Sequence, residues 1–116
     1  SQSWNIKPTS TSITRPRQLT PVLIKELQIG TTHRGRVLEG RVAEDPYFVS
    51  SAAFLIEDAV GDLVEIAVYN IPGASWSATE RSFPKGRAIA IREPFYKIRA
   101  AGSPGVRVDD PAEIED

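Results

Sequence analysis

Residues 55–70, LIEDAVGDLVEIAVYN, constrain the fold of this chain more than any other stretch, because two alternating apolar runs flank a short polar turn. Five side chains on the two sides of the turn fall on the same face: Phe54, Ile56, Val64, Ile66 and Val68. Alternation with period 2 is typical of strands that bury one face, and Gly61 can adopt the positive φ that a tight turn needs. The stretch therefore predicts a β-hairpin within a barrel-like sheet.

The chain has 116 residues, of which 41% are hydrophobic and 25% charged, and it contains no cysteine. This length is enough for one domain with its own core, and the absence of cysteine excludes disulfides and thiolate chemistry. Apolar runs reach only about five residues, far below the roughly 20 of a membrane helix. We expect no membrane partner and an intracellular location, in the cytoplasm or nucleus. Because the chain has neither an initiator methionine nor a signal-like leader, we also expect it to be a fragment of a longer polypeptide.

The composition divides the chain into three parts. Residues 1–18 are rich in Ser, Thr, Pro and Arg and predict an extended N-terminal arm. Residues 109–116 hold five of the 15 acids and no base, which predicts a solvated acidic linker. The preceding 108 residues contain 14 bases and 10 acids, a net charge of +4. Residues 19–108 are expected to form the folded domain.

Local signals along this domain predict a series of short elements. Thr20 and Pro21 resemble a helix start, and the helix is expected to end at Leu27. Strands are predicted at 35–43, 51–58, 62–70, 88–92 and 95–100, with helical turns inside the connection 71–85 and a return of the chain through 106–108. Gly40, on the apolar face of the first strand, marks the sharp bend that closes a small barrel.

This order predicts an all-β, OB-like, five-stranded, partly open barrel with a short N-terminal helix and a short helical connection between strands three and four. The expected core is formed by apolar residues from all five strands: Leu38, Val42, Phe54, Ile56, Val64, Ile66, Val68, Ile89, Ile91 and Ile98.

Three motifs together resemble a known family. They are GRVLEGRVAEDPY at 35–47, LIEDAVGDLVEIAVYN at 55–70 and FPKGRAIAIREPFYKIRAAGSPGVRVDDPAEI at 83–114. They are similar to the N-terminal OB-like β-barrel region that precedes tetratricopeptide repeats and SET domains in a group of eukaryotic, largely fungal, proteins. The resemblance covers roughly residues 20–114 and implies an accessory domain of a multidomain protein, for which a lysine methyltransferase of the SET type is one candidate. It implies no catalysis by this chain, because none of the catalytic SET residues lies within it.

The residues themselves point away from enzyme chemistry. His33 is the only histidine, and a lone loop histidine gives neither a nucleophile–base pair nor a metal site. The acids of the 57–62 turn are too few and wrongly spaced for a calcium loop, and Asp58 and Asp62 are expected to bind turn amides instead. No glycine-rich phosphate loop is present. We therefore predict a noncatalytic interaction module, with no cofactor, no metal and no small-molecule substrate.

The predicted docking surface for a protein or a neighbouring domain is the outward face of strands two and three. It consists of Leu55, Leu63, Ala67 and Tyr69, where a lone soluble barrel would more naturally place charge. A contiguous apolar patch with a polar rim is typical of an interface. Tyr69 is the expected anchor, and packing under the 71–85 connection is the alternative role for its ring.

The alternative function is binding of single-stranded DNA or RNA, which OB-folds achieve with stacking aromatic rings and basic side chains. The outward residues of strands two and three contain no base, which disfavours this function on their face. The fifth strand and its neighbours offer a mixed aromatic and basic set instead: Arg92, Phe95, Lys97, Arg99 and Arg107.

Overall fold

The computed structural model describes residues 18–115. Its strands are β1 (Thr20–Val22), β2 (Thr31–Thr32), β3 (Arg36–Val42), β4 (Tyr47–Phe48), β5 (Ala52–Glu57), β6 (Leu63–Val68), β7 (Ala88–Arg92), β8 (Phe95–Ile98), β9 (Pro104–Val108) and β10 (Ile114–Glu115). The helix α1 spans Trp76–Ser82, and two short 3-10 helices span Ile24–Glu26 and Pro111–Glu113. No helix within the described range is long and apolar enough to cross a membrane.

The strands form a single curled sheet. Its order is β10-β7-β3-β5-β6-β9-β8-β2, with β1 added to β3 and β4 added to β5. β3 pairs antiparallel with β7 along 37–41 and with β5 at 41–42, whereas β6 pairs parallel with β9. The concave side buries the core, whose members include Leu38, Phe54, Ile66 and Ile91. The predicted OB-like, partly open barrel is therefore confirmed.

At Gly40, where the sequence predicted a bend, β3 passes very close to β5. A Cβ atom at this position would lie 2.6 Å from the carbonyl oxygen of Glu57 on β5. Contacts that short do not occur between real side chains and backbone, so any larger residue would push the two strands apart. Gly40 thus lets β3 pass closely from its pairing with β7 to its pairing with β5.

The strand predicted at 95–100 is present as β8, but its expected place as the fifth barrel strand is taken by β9. β9 (Pro104–Val108) lies beside β6, and β8 pairs only with β9 and, at its start, with β2. The prediction that Ile98 joins the core fails for the same reason, because β8 lies at the margin of the sheet and Ile98 is 49% exposed. Val106 and Val108 on β9 fill the core instead.

The predicted helix over residues 20–27 is replaced by a strand and a single 3-10 turn. β1 pairs parallel with β3, so Thr20 and Pro21 belong to the sheet and do not start a helix. Tertiary pairing overrides the local capping signal here. The backbone N–H of Ile24 donates to Oδ2 of Asp58 at 2.9 Å, which fastens this segment to the β5–β6 turn.

Other segments follow the predicted connections more closely. α1 lies inside the predicted 71–85 connection and is capped by Ser75, whose hydroxyl accepts from the Ala78 amide at 3.1 Å. In contrast to the predicted solvated linker, part of the acidic segment 109–116 folds onto the barrel: Asp110 caps the second 3-10 helix, and β10 pairs with β7. The predicted arm at 1–18 falls almost wholly outside the described residues, as does Asp116.

Candidate functional site

The parallel pairing of β6 with β9 brings the two predicted binding sets, except Arg92, onto one outward surface. Ala67 on β6 lies opposite Arg107 on β9, and Arg107 lies opposite Phe95 on β8. We call this surface the β6–β9 face. Its members are Tyr47, Leu55, Leu63, Glu65, Ala67, Tyr69, Phe95, Lys97, Arg99 and Arg107. Adjacent strands lie about 4.8 Å apart, so aromatic and basic groups from several strands come close together.

Tyr69 and Arg107 form a stacked pair on this face. The guanidinium carbon of Arg107 lies 4.3 Å from the centre of the Tyr69 ring, which is a cation–π contact. Nε of Arg107 also donates to Oδ1 of Asp109 at 2.8 Å. This hydrogen bond, together with the negative charge of Asp109, raises the pKa of Arg107 above its ordinary value. Tyr69 is half-buried, and Arg107 covers one side of its ring.

Glu65 lies near the middle of the face, and its carboxylate accepts hydrogen bonds from two neighbouring side chains. The hydroxyl of Tyr47 and the guanidinium of Arg99 both donate to its carboxylate. Arg99 reaches Glu65 by passing over Gly105, whose missing side chain leaves the space. The bond to Glu65 is the main cause that raises the pKa of the Tyr47 hydroxyl, with burial and the charge of Glu65 adding to it. The charge of Glu65 is therefore neutralised locally by Arg99.

The remaining cation of the face is Lys97, which lies opposite Gly105 on β8. Within residues 18–115 it forms no ion pair, in contrast to Arg99 and Arg107. Its neighbour on the same side of β8 is Phe95, which is half-buried. The β8 side of the face thus presents an aromatic residue and a lysine that are both partly accessible.

The four residues predicted to dock a partner differ in accessibility. Leu63 is 54% exposed, and Leu55 and Tyr69 are half-buried. Leu55 and Leu63 are diagonal neighbours in the β5–β6 pairing, which places them within reach of each other. Ala67 is buried, at 4% exposure, and contributes little surface. These positions do not test whether Leu55, Leu63, Ala67 and Tyr69 dock a partner, so that role stays a prediction.

Arg92 lies away from the other four residues of the predicted basic set. It lies on β7, which pairs with β3 and β10 at the opposite end of the strand order. Its guanidinium donates to the carbonyl of Ala112 at 2.8 Å and lies 3.7 Å from Glu113 and 3.4 Å from Glu115. Arg92 therefore holds the C-terminal segment to the barrel.

Sequence reasoning missed Tyr47, Glu65 and Asp109 as members of the site. Tyr47 reaches the face only because β4 pairs with β5, and Glu65 meets Arg99 only because β9 lies beside β6. For Asp109 a sequence signal existed: Arg107 and Asp109 stand at i and i+2 along an extended segment, so their side chains lie on the same side.

A histidine and an open groove lie elsewhere on the barrel. Nε2 of His33 accepts from the Gln28 amide at 3.0 Å and Nδ1 lies 3.0 Å from the Pro94 carbonyl, so this histidine holds a loop in place. An open groove of about 420 Å³ crosses β3 and β7, with Ala88 and Ala90 beside Glu39 and Arg41. In the described part of the chain, no group of three or more His, Cys, Asp or Glu side chains could hold a metal ion.

The sequence of the chain is similar to part of a longer fungal protein. No protein-family model matches the chain. A protein named methyltransferase from Gibberella zeae is 26% identical over 102 residues, which cover 88% of this chain and 14% of that protein. The chain thus spans only a small part of this relative. The name agrees with the methyltransferase association that the sequence resemblance implied, whereas tetratricopeptide repeats and a SET domain stay predictions.

Two solved structures share the architecture at low sequence identity. One is Schizosaccharomyces pombe Pot1pC bound to single-stranded DNA, with a TM-score of 0.58, 10% identity and coverage of 83% of this chain and 85% of that one. The other is a putative aspartyl-tRNA synthetase from Leishmania major, with a TM-score of 0.58, 13% identity and coverage of 94% of this chain and 22% of that one. At these identities the likeness concerns the fold alone.

Proposed function

We propose that this chain is a noncatalytic binding module of a longer protein and that its β6–β9 face binds single-stranded nucleic acid. The observation that supports this proposal is that Arg107, Phe95 and Lys97 on the adjacent strands β9 and β8 lie beside Tyr69, which directly follows β6. In the sequence analysis, the lack of a base on strands two and three favoured a protein partner. The position of β9 beside β6 removes that objection, because it adds Arg107 to the same surface, and Arg99, which follows β8, reaches this surface at Glu65.

The side chains of this face can bind both the base and the phosphate of a nucleotide. The rings of Tyr69 and Phe95 offer stacking surfaces for bases, which bind aromatic groups without strong sequence preference. Lys97 and Arg107 lie on the neighbouring strand positions, where they can pair with phosphates. Glu65 does not repel a phosphate strongly, because Arg99 already neutralises its charge. The shared fold of Pot1pC, whose structure contains single-stranded DNA, supports the compatibility of such a barrel with this ligand.

A protein segment on the same face is the second candidate. The exposed Leu63 and its diagonal neighbour Leu55 favour it, since neither side chain suits a phosphate backbone. The segment would come from another molecule or from another part of the same polypeptide. Binding of this kind depends on apolar burial and responds weakly to salt.

The test is a titration of the chain with a labelled 12-nucleotide single strand, followed by fluorescence anisotropy at several salt concentrations. We expect the logarithm of the affinity to fall with the logarithm of salt with a slope of about −1.4, the value for two phosphate contacts on a single strand. The double variant Lys97→Glu, Arg107→Glu should lower the affinity about tenfold or more.

The matched control is Lys25→Glu, Lys85→Glu, which changes the charge equally at two exposed positions away from the face. It should leave most of the affinity intact. Equal losses in the two double variants would mean that only the overall charge matters, and the proposed site would be wrong. Absence of any oligonucleotide binding, with a protein ligand lost in Leu55→Ser, Leu63→Ser, would establish the second candidate instead.

A further inference from the structure

Asp109 follows β9 directly and forms an ion pair with Arg107, a cation of the β6–β9 face. Its Oδ1 accepts from Nε of Arg107 at 2.8 Å, while the guanidinium lies 4.3 Å from the centre of the Tyr69 ring. A carboxylate and a phosphate oxygen make the same kind of charge-assisted hydrogen bond to a guanidinium. Asp109 therefore stands at a position that a ligand phosphate needs in order to reach this donor.

We propose that Asp109 is an intramolecular competitor that occupies Arg107 until a ligand phosphate replaces it. The inference rests on the proposed nucleic-acid function and adds a residue that sets the affinity of that site. The hydrogen bond to Asp109 also raises the pKa of Arg107, which agrees with a carboxylate that stabilises the charged guanidinium in the free protein.

The exposure of the pair makes the exchange feasible. The side chains of Arg107 and Asp109 are 40% and 65% exposed, and ion pairs in such surroundings are weak. The Arg99–Glu65 pair is more buried, at 25% and 19%, and Glu65 also accepts from Tyr47. Of these two arginines, Arg107 is therefore the one that can change partner at low cost.

The exchange needs only the side chain of Asp109 to move. The backbone carbonyl of Asp109 accepts from Nδ2 of Asn70 at 2.8 Å, and the next residue, Asp110, accepts from the Ala112 amide at 3.0 Å. Beyond them, β10 stays paired with β7. The C-terminal segment thus keeps its contacts when the Asp109 carboxylate leaves Arg107.

The experiment compares Asp109→Asn with Asp110→Asn in the same oligonucleotide titration. Both variants remove one negative charge, but Asn at 110 can still cap the 3-10 helix, and Asp110 makes no bond to Arg107. We expect Asp109→Asn to raise the affinity about two- to fivefold and Asp110→Asn to change it much less. In an Arg107→Ala background, the gain from Asp109→Asn should disappear.

The outcomes separate the inference from the proposed function. If the unchanged chain binds the oligonucleotide and the two Asn variants behave alike, Asp109 is not a competitor and only this inference fails. A lower affinity of Asp109→Asn would show that Asp109 instead holds Arg107 in position for the ligand, which also overturns it. If neither the unchanged chain nor Asp109→Asn binds, the proposed function itself fails, and the inference with it.

Discussion

At the scale of single residues, Asp58 joins two distant parts of the chain. Its side chain is buried and accepts from the amides of Val60 at 3.2 Å and Asp62 at 3.0 Å within the turn. It also accepts from the amide of Ile24, 34 residues earlier. The sequence predicted that the side chains of both Asp58 and Asp62 bind turn amides. This is confirmed for Asp58 and wrong for Asp62, whose side chain accepts no hydrogen bond within residues 18–115. The bond to Ile24 follows from the packing of the N-terminal segment and has no local signal.

Asp58→Ala should destabilise the chain by about 1 to 3 kcal/mol, because it leaves buried amides without an acceptor. Asp62→Ala is the control, since the side chain of Asp62 accepts no hydrogen bond within residues 18–115 and its loss should cost about 0.5 kcal/mol or less. Urea denaturation followed by tryptophan fluorescence measures both. Equal costs for the two variants would contradict the role of Asp58 as the junction.

At the scale of elements, local alternation predicted the strands well and their pairing less well. β7 was predicted residue for residue, because its apolar positions alternate and turn signals flank them. The parallel pairing of β6 with β9 joins residues about 40 apart along the chain, and no short-range pattern encodes it. β1 was mistaken for a helix start for a similar reason, since Thr20 and Pro21 carry a capping signal that the pairing with β3 overrides.

Two isoleucines that were both predicted to lie in the core differ in burial. Ile66 on β6 is fully buried, whereas Ile98 on β8 is 49% exposed. Ile66→Ala should therefore cost about 2 to 5 kcal/mol, the range for a buried Ile, and Ile98→Ala about 1 kcal/mol or less, as is usual at exposed positions. Chemical denaturation of both variants provides the measurement. A large cost at Ile98 would restore β8 to the core of the barrel.

At the scale of the whole molecule, the candidate site exists only in the folded barrel. Residues from 47 to 107 meet on the β6–β9 face, although the sequence placed the apolar set and the basic set on separate strands. Four of the five residues in the basic set lie on this face, and Arg92 does not, because β7 turns it toward the C-terminal segment. Residue types were thus readable from the sequence, but their assembly depended on the order of strands in the sheet.

Tyr69 connects the two sets, and its removal tests the face as a unit. Tyr69→Ala deletes a ring that lies under Arg107 at the surface, so the loss of stability should be about 1 kcal/mol or less. If the ring stacks on a base, the oligonucleotide affinity should fall about 5- to 150-fold, which corresponds to 1 to 3 kcal/mol. Tyr96→Ala is the matched control, because Tyr96 packs against the core from the adjacent strand position to Phe95. That variant should lose at least about 2 kcal/mol of stability, with any loss of affinity following from unfolding.

A marked fall in the melting temperature of Tyr69→Ala would instead show that Tyr69 belongs to the packing of the barrel, and the β6–β9 face would lose the residue on which its proposed function most depends.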